Sequence, residues 1–148
     1  MSLMKELCVY CSKPEIKERE IIGNDLAWVF PTNIPIVSGH VLIAPRRCIA
    51  TYEELTNEER EAIEELRIKI IGSLRKAFGA QGFNYAWNEN TVAGQSIPHF
   101  HLHVLPRKVG DEGITEYEPR KFLYRPGSRE TTPESELVEV CKLIKENI

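Results

Sequence analysis

Short apolar runs separated by turn residues dominate the first third of this chain. They are "REIIG", "LAWVFPT" and "HVLIAP", with a "GND" turn between the first two and a proline at the end of the third. Apolar runs of this length that are bounded by glycine, proline or asparagine predict β-strands. Two later runs, "FNYAWNE" and "HFHLHVLP", have the same form. We therefore expect an antiparallel sheet of about five strands.

One long amphipathic helix is predicted between the third and fourth strands. Apolar residues recur three or four positions apart from Ile63 to Phe78, which is the period of a helix face. Thr56 and Glu59 form the sequence pattern of a capping box at its start, and Gly79 supplies a stop at its end. We expect this helix to pack its apolar face on the sheet.

The end of the chain has a different composition. Residues 108–131 are rich in glycine, proline and charge, which predicts an irregular arm. A Thr-Pro-Glu sequence then opens a final helix, predicted over 133–148. The apolar face of this helix consists of Leu137, Cys141 and Ile144. Its position on this apolar face predicts that Cys141 is buried in the core and is not a metal ligand.

Antiparallel strands with helices packed on them define an α+β fold. A chain of 148 residues with 42% hydrophobic and 28% charged residues is typical of one domain with a single core, so we expect residues 1–148 to form one domain. The opening "MSL" has the form of an expression scar and is left out of the fold prediction.

Composition excludes several classes of partner. A formal net charge of −3 and the lack of a basic stretch interleaved with aromatics argue against nucleic acid. Apolar runs are too short to cross a bilayer, and the N-terminus lacks the pattern of a secretion signal. We expect a cytoplasmic protein that binds neither nucleic acid nor membrane.

Four cysteines in such a chain are expected to be thiols. Cys8 and Cys11 form "CVYC", whose spacing lets both thiolates bind one metal ion, as in many tetrahedral zinc sites. The pair alone is half a site, and it lacks the strand-to-helix context of a redox motif. Either two further ligands lie elsewhere in the chain or the pair is incidental.

Three of the four histidines stand at alternate positions in "HFHLH". On a strand, His99, His101 and His103 would share one face. Structural histidines are the simpler interpretation for a single ring, but three in register favour a site. Two chemistries use such a row: metal binding, and attack by a neutral imidazole on phosphorus while neighbouring rings stabilise the oxygens.

The segment before these histidines favours a phosphate substrate. Gly94, Gln95 and Ser96 supply a flexible turn, an amide, a hydroxyl and backbone N–H groups, which suit phosphate oxygens. The tripeptide on its own is equally typical of a plain loop.

The segments "GQSIPHFHLHVLPR" and "SGHVLIAPRR" together resemble the histidine-triad (HIT) family, named for its His-x-His-x-His pattern. The resemblance covers most of the chain up to Arg107. It implies a HIT-like fold, a homodimer built through the long helix and a strand, and a nucleotide hydrolase or transferase that acts at an α-phosphate. A histidine at the last motif position, here His103, favours the hydrolase branches.

The same resemblance implies roles for individual residues. His101 is the nucleophile and forms a nucleotidyl-histidine intermediate, since a neutral imidazole is abundant at pH 7. His103 and His40 flank the phosphate and stabilise charge. Positions that line the substrate pocket are matched here by Asn88, Gln95 and Ser96.

One position departs from the family. Thr32 stands where HIT proteins carry Asp or Asn to hold the ribose, and Asn33 follows one place later as the substitute candidate. Arg107 is a candidate phosphate or dimer contact, with an exposed arginine of no special role as the alternative. Three apolar residues are candidates to sandwich a base: Leu26, Trp28 and Ile34.

The resemblance extends to a structural zinc site of the microbial hydrolases. Its ligands here would be Cys8, Cys11, Cys48 and His99, where Cys48 replaces a histidine that is common in the family. A Cys₃His set is a standard one for zinc. The alternatives are that Cys48 is a small buried residue, or that this region holds no metal.

The function predicted from sequence is therefore hydrolysis of nucleoside phosphoramidates, dinucleoside polyphosphates or adenylated compounds. Two alternatives stay open. One is a zinc-dependent hydrolase that uses the triad histidines as metal ligands, and the other is a nucleotide-binding regulatory protein with little turnover.

Overall fold

The computed structural model describes residues 7–111 and 133–148. The chain divides into two compact units, Met1–Glu116 and Tyr117–Ile148. The expected expression scar and most of the expected irregular arm lie outside the described residues.

Within residues 7–111, the first unit holds five strands and three α-helices. The strands are β1 (Ile22–Gly23), β2 (Ala27–Pro31), β3 (Val41–Pro45), β4 (Gly82–Ala86) and β5 (Leu102–Arg107). The helices are α1 (Val9–Ser12), α2 (Pro14–Lys17) and α3 (Asn57–Phe78), and two 3₁₀ turns cover Tyr52–Glu54 and Thr91–Ala93. The second unit contributes α4 (Glu134–Glu146).

The strands form one antiparallel sheet in the order β1-β2-β3-β5-β4. This confirms the predicted α+β fold with about five strands, one long helix and a C-terminal helix. Strand β5 lies between β3 and β4, where His103 is opposite Leu42 on one side and Ala86 on the other. The last histidine of the triad is therefore held near the middle of the sheet.

Helix α3 covers one face of the sheet and ends where the sequence predicts. Thr56 and Glu59 form a complete capping box, and Gly79 closes the helix in the left-handed conformation with φ 67°. Its buried side chains pack against β2, β3 and β5. The core residues on this side of the sheet include Val29, Ile43, Leu66, Ile70, Phe100 and Val104.

The opposite face of the sheet carries a second apolar cluster. Trp28, Phe30, Leu42 and Ala44 are buried there together with Ile16 of α2. Two residues of helix α1, Val9 and Tyr10, pack against this cluster. Trp28 is only 5% exposed and stacks on Phe30 at 4.1 Å, so little of its ring surface is free to contact a base.

Strand β5 begins three residues later than the sequence predicts. The N–H of His99 donates to Ile97 O at 2.8 Å, and the N–H of Phe100 donates to Ile49 O at 2.6 Å. The N–H of Phe100 is thus bonded to a residue beyond the end of β3, and the regular ladder with β3 starts at Leu102. The prediction that His99 and His101 lie on the strand is wrong, since only His103 does.

Helix α4 confirms the predicted C-terminal helix within one or two residues at each end. Its apolar face is exposed, with Leu137 at 45% and Ile144 at 59%. Cys141 is exposed as well, so its predicted core role is wrong. In the described ranges, every helix is too short or too polar to cross a membrane.

The turn before β3 requires glycine, which gives a first prediction. Gly39 has φ +90°, and a Cβ there would lie 2.9 Å from Phe78 Cδ2 and 3.0 Å from Pro106 Cγ. We expect Gly39→Ala to lower the free energy of unfolding by about 2 kcal/mol or more, because both the backbone and the packing must shift. The shift would also displace the adjacent His40.

Gly72 is the matched control for this substitution. A Cβ at Gly72, on helix α3, would have no heavy atom within 4 Å, so Gly72→Ala is expected to stabilise the protein by up to about 1 kcal/mol. Denaturant unfolding of both variants measures the difference. Equal effects at the two positions would contradict the strain assigned to Gly39.

Candidate functional site

Two side-chain clusters meet around residues 99–103. The first, called the metal cluster below, consists of Cys8, Cys11, Cys48 and His99, whose ligand atoms all lie within 4.8 Å of one another. They come from the start of α1, the segment after β3 and the segment before β5. The structure thus supplies two further ligands for the isolated "CVYC" pair.

The geometry of the metal cluster fits a zinc ion. His99 Nδ1 lies 3.3 Å from Cys8 Sγ and 3.5 Å from Cys11 Sγ, near the ~3.5–3.8 Å between donors in a tetrahedral zinc site. His99 Nε2 lies 2.7 Å from Pro45 O. Because a carbonyl can only accept, Nε2 carries the proton and Nδ1 presents its lone pair to the thiols.

The electrostatics of the cluster also favour a cation. Burial opposes ionisation of Cys8, but the hydrogen bond and the electrostatic interaction with the His99 ring outweigh it and lower the pKa of the thiol to about 7. Burial and the charge of Cys8 raise the pKa of Cys11 to about 12. One thiolate forms easily and a second is repelled by it, so a divalent ion is needed to hold several thiolates together.

The second cluster, called the histidine cluster, consists of His40, His101 and His103. His101 Nδ1 lies 2.7 Å from His99 O. The carbonyl again fixes the tautomer: Nδ1 holds the proton, and Nε2 keeps its lone pair. A neutral imidazole in this state is a nucleophile at Nε2.

His40 and His103 form a directed pair. The N–H of Ile36 donates to His40 Nδ1 at 3.1 Å, so neutral His40 carries its proton on Nε2. That proton is donated to His103 Nδ1 across 2.9 Å. His103 then carries its own proton on Nε2, where it is a hydrogen-bond donor next to His101, whose ring centroid is 5.0 Å away.

All three rings are held neutral. Burial, followed by the charge of His101, lowers the pKa of His40 to about 4. Burial and the charges of both neighbours lower the pKa of His103 to about 3. Burial is also the main cause that lowers the pKa of His101, against the opposing hydrogen bond to His99 O. At neutral pH, His101 therefore keeps a lone pair on Nε2 while His103 keeps a hydrogen-bond donor on its own Nε2.

Tyr10 joins the two clusters, and sequence reasoning missed it. Its ring lies edge-on to His99 at 5.7 Å and to His101 at 5.3 Å. Burial, then the charge of Cys8, raises the pKa of its phenol to about 12. Its place between the two cysteines of "CVYC" was the only available indication.

The predicted phosphate-binding loop lies between β4 and β5. The side-chain amide of Gln95 is hydrogen-bonded at both of its ends. Its Oε1 accepts from Asn90 N–H and its Nε2 donates to Ala50 O, both at 2.8 Å. Gln95 therefore fixes the loop to the segment before α3. Asn88 is half-buried beside Gly94, and Ser96 is exposed.

The remaining candidate contacts to substrate, Asn33, Thr32 and Arg107, are hydrogen-bonded to other residues of the chain. Asn33 is exposed, and its Oδ1 accepts a hydrogen bond from Arg19 Nη1 at 2.5 Å. Thr32 Oγ1 accepts from the N–H of Ile34. The guanidinium of Arg107 is bidentate to Asp111, with bonds of 2.9 and 2.7 Å, which anchors the end of β5.

Comparison with known proteins gives a consistent result. A family model described as the HIT domain matches residues 13–110. An uncharacterized HIT-like protein of Mycoplasma genitalium is 30% identical over 72% of this chain and 77% of its own length. A bis(5'-adenosyl)-triphosphatase of Dictyostelium discoideum is 28% identical over 89% of this chain and 90% of its own length.

A solved structure supports the same relationship. A zinc-bound histidine triad family protein from Mycobacterium smegmatis superposes with a TM-score of 0.64 at 25% identity, covering 73% of this chain and 80% of that one. Cys8 and Cys11 precede the range that the family model matches. Their assignment to the metal cluster therefore depends on the geometry of this chain and not on the family match.

Proposed function

The chain belongs to the HIT domain family, and from this premise we propose that it hydrolyses nucleotides at the α-phosphate through a covalent intermediate on His101. The proposed substrates are dinucleoside polyphosphates, nucleoside phosphoramidates or adenylated compounds. The observation that carries the proposal is the fixed tautomer of His101, whose Nδ1–H donates to His99 O and leaves Nε2 free to attack.

In the first step, His101 Nε2 gives its lone pair to the α-phosphorus. The bond from phosphorus to the bridging oxygen breaks, and the leaving nucleotide departs with that electron pair as a phosphate oxyanion. The imidazole becomes cationic, and its Nδ1–H strengthens the bond to His99 O. His103 Nε2–H donates to a phosphate oxygen as charge builds up there.

In the second step, water attacks the phosphorus and releases a proton to solvent. The bond between phosphorus and Nε2 breaks, and the electron pair returns to His101. One water is consumed, and a nucleoside monophosphate is released. When the bridging atom is nitrogen, the leaving amine takes a proton from solvent.

His40 acts through His103 in this scheme. Both of its ring nitrogens are engaged, one by Ile36 and one by His103, so it sets the tautomer of His103. It is thus a positioning residue. Ser96 is proposed as a contact to phosphate, Asn88 to the pocket wall, and Gln95 as the clamp of the loop that carries them.

Zinc is proposed as a structural ion held by the metal cluster. Four protein ligands fill a tetrahedral shell, which leaves no position for water or substrate. Its contribution would be to hold α1 and the segment before β5 together. The alternative in which the triad histidines bind a catalytic metal is disfavoured by His103. Its Nδ1 accepts the proton of His40, so the proton of neutral His103 occupies Nε2 and leaves that ring no lone pair for an ion.

The direct test is a substrate panel assayed with the purified protein. We expect release of AMP from diadenosine polyphosphate or adenosine phosphoramidate, insensitive to brief chelation that spares the fold. Reversible loss of activity on chelation with the fold intact would indicate a catalytic metal. Binding of AMP without turnover of any substrate would indicate a regulatory protein.

We also propose that the protein is a homodimer built through α3 and β4. In the described part of the chain, β4 is an edge strand of the sheet, and such edges pair readily with another copy. Tyr85 on β4 and Ile68 on α3 are exposed at 37% and 57%. Sedimentation equilibrium is expected to give twice the mass of the chain, and Ile68→Glu to shift it to the monomer mass.

A further inference from the structure

We infer that Tyr10 is a positioning residue that couples the metal cluster to the ring of His101. The inference rests on the proposed role of His101 as nucleophile. It assigns a function to a residue of the "CVYC" segment that binds no metal itself.

The backbone of Tyr10 is tied to two metal-cluster thiols. It lies on α1 between Cys8 and Cys11, and the turn is closed by hydrogen bonds from Cys11 N–H and Ser12 N–H to Cys8 O at 3.1 and 2.9 Å. The hydroxyl of Ser12 also donates to Cys8 O at 2.8 Å. Any movement of this turn therefore moves the two cysteines and the tyrosine together.

The ring of Tyr10 lies among three other rings. It meets Phe30 at 5.0 Å and 64°, His99 at 5.7 Å and 69°, and His101 at 5.3 Å and 83°. Edge-to-face pairs at these separations are attractive and directional. One side chain thus touches a proposed metal ligand and the proposed nucleophile at the same time.

His101 needs this second restraint. Its hydrogen bond to His99 O fixes Nδ1 but leaves the ring free to tilt about that point. The rings of Tyr10 and His103 limit the tilt from two directions, at 5.3 and 5.0 Å. In-line attack on phosphorus tolerates little misplacement, since an error of about 1 Å can cost on the order of 100-fold in rate.

A purely structural role for Tyr10 makes a different prediction. The ring also packs on the apolar cluster around Phe30, so its loss would reduce stability in any case. If packing is its only role, replacing Tyr10 would not change the orientation of His101. It would also not lower kcat selectively while leaving KM unchanged. Val9 packs against the same cluster and provides the matched control, as Val9→Ala.

The kinetic test compares Tyr10→Phe, Tyr10→Leu and Tyr10→Met with Val9→Ala. Phe keeps the ring and is expected to retain parental kcat. Leu and Met lose the edge contact and are expected to lower kcat by about 10–100-fold, with KM changed less than about 2-fold and zinc content retained. Parental kcat in both Leu and Met variants would overturn the inference.

Imidazole NMR supplies a readout that does not depend on activity. Tyr10→Leu is expected to shift the ring resonances of His101, whereas Val9→Ala leaves them in place. Removal of zinc by a chelator should shift these resonances in the parent and by a smaller amount in Tyr10→Leu, where the path through the His99 carbonyl remains. Equal shifts in both proteins would show that the coupling does not pass through Tyr10.

The NMR result also separates this inference from the proposed function. A parent protein without turnover whose His101 resonances respond to Tyr10→Leu would remove the proposed activity and leave the positioning role intact. If the parent protein turns over substrate but Tyr10→Leu does not shift the His101 resonances, the positioning role is removed and the proposed activity stands.

Discussion

Replacement of His101 by asparagine is expected to reduce turnover by about 10⁴-fold or more, because removal of a covalent nucleophile leaves only binding and charge stabilisation. Asparagine is smaller than histidine and keeps polar atoms, so the fold and the zinc content are expected to survive. The measurement is the rate of AMP release under substrate saturation.

His103→Asn is the informative comparison. It removes the donor at Nε2 and keeps the nucleophile, so a smaller loss of about 10²–10³-fold is expected. Mass spectrometry of parent protein quenched during turnover should show one covalently bound nucleotidyl group. That adduct should be absent from His101→Asn and present in His103→Asn.

Chemical rescue sharpens the assignment further. His101→Gly leaves a space that free imidazole can enter, and added imidazole is expected to restore part of the lost rate. The same addition to His101→Asn, where the side chain occupies the space, should do less. Turnover by His101→Asn at the parental rate would show that the nucleophile lies elsewhere.

The sequence predicted the scaffold of this site better than its details. The ends of the long helix were predictable to the residue because Thr56, Glu59 and Gly79 cap it. Their capping interactions involve only residues of the first and last turns, which lie close together in the sequence. The start of β5 was not, because it depends on the hydrogen bond from Phe100 to Ile49, a contact across the fold. Period-two patterns alone could not show that the ladder starts only at Leu102.

The sequence pattern also could not predict which face of the sheet each side chain of β2 lies on. Four of the five residues of that strand are buried, so both faces are apolar and alternation carries no information about Trp28. Tyr10 was missed for a related reason. Its role depends on which rings converge beside it, and those rings lie about twenty and ninety residues away in the sequence.

The metal cluster gives the second large expected effect. Cys8→Ser should abolish bound zinc and lower Tm by about 10–15 °C, since an ion present at about a thousand times its dissociation constant contributes about 4 kcal/mol. Cys8 is fully buried, so a hydroxyl there adds an unfavourable polar group. Metal analysis and thermal unfolding measure the two effects.

Two controls separate zinc from general damage. Cys141→Ser changes the exposed thiol on α4 and should leave both zinc content and Tm at the parental values. Cys48→His exchanges one zinc ligand for another and should retain the ion, whereas Cys48→Ala should lose it. A parent protein purified without zinc that takes up none on titration would contradict the site.

The zinc experiment also bears on catalysis, because His99 connects the two clusters. Its Nδ1 faces the thiols, and its backbone oxygen accepts the proton of His101. Loss of zinc removes one of the two partners of the His99 ring and leaves Pro45 O, which loosens the residue whose carbonyl fixes the tautomer of the proposed nucleophile. We therefore expect Cys8→Ser to lower kcat below the value that partial unfolding explains, measured at a temperature where the variant remains folded.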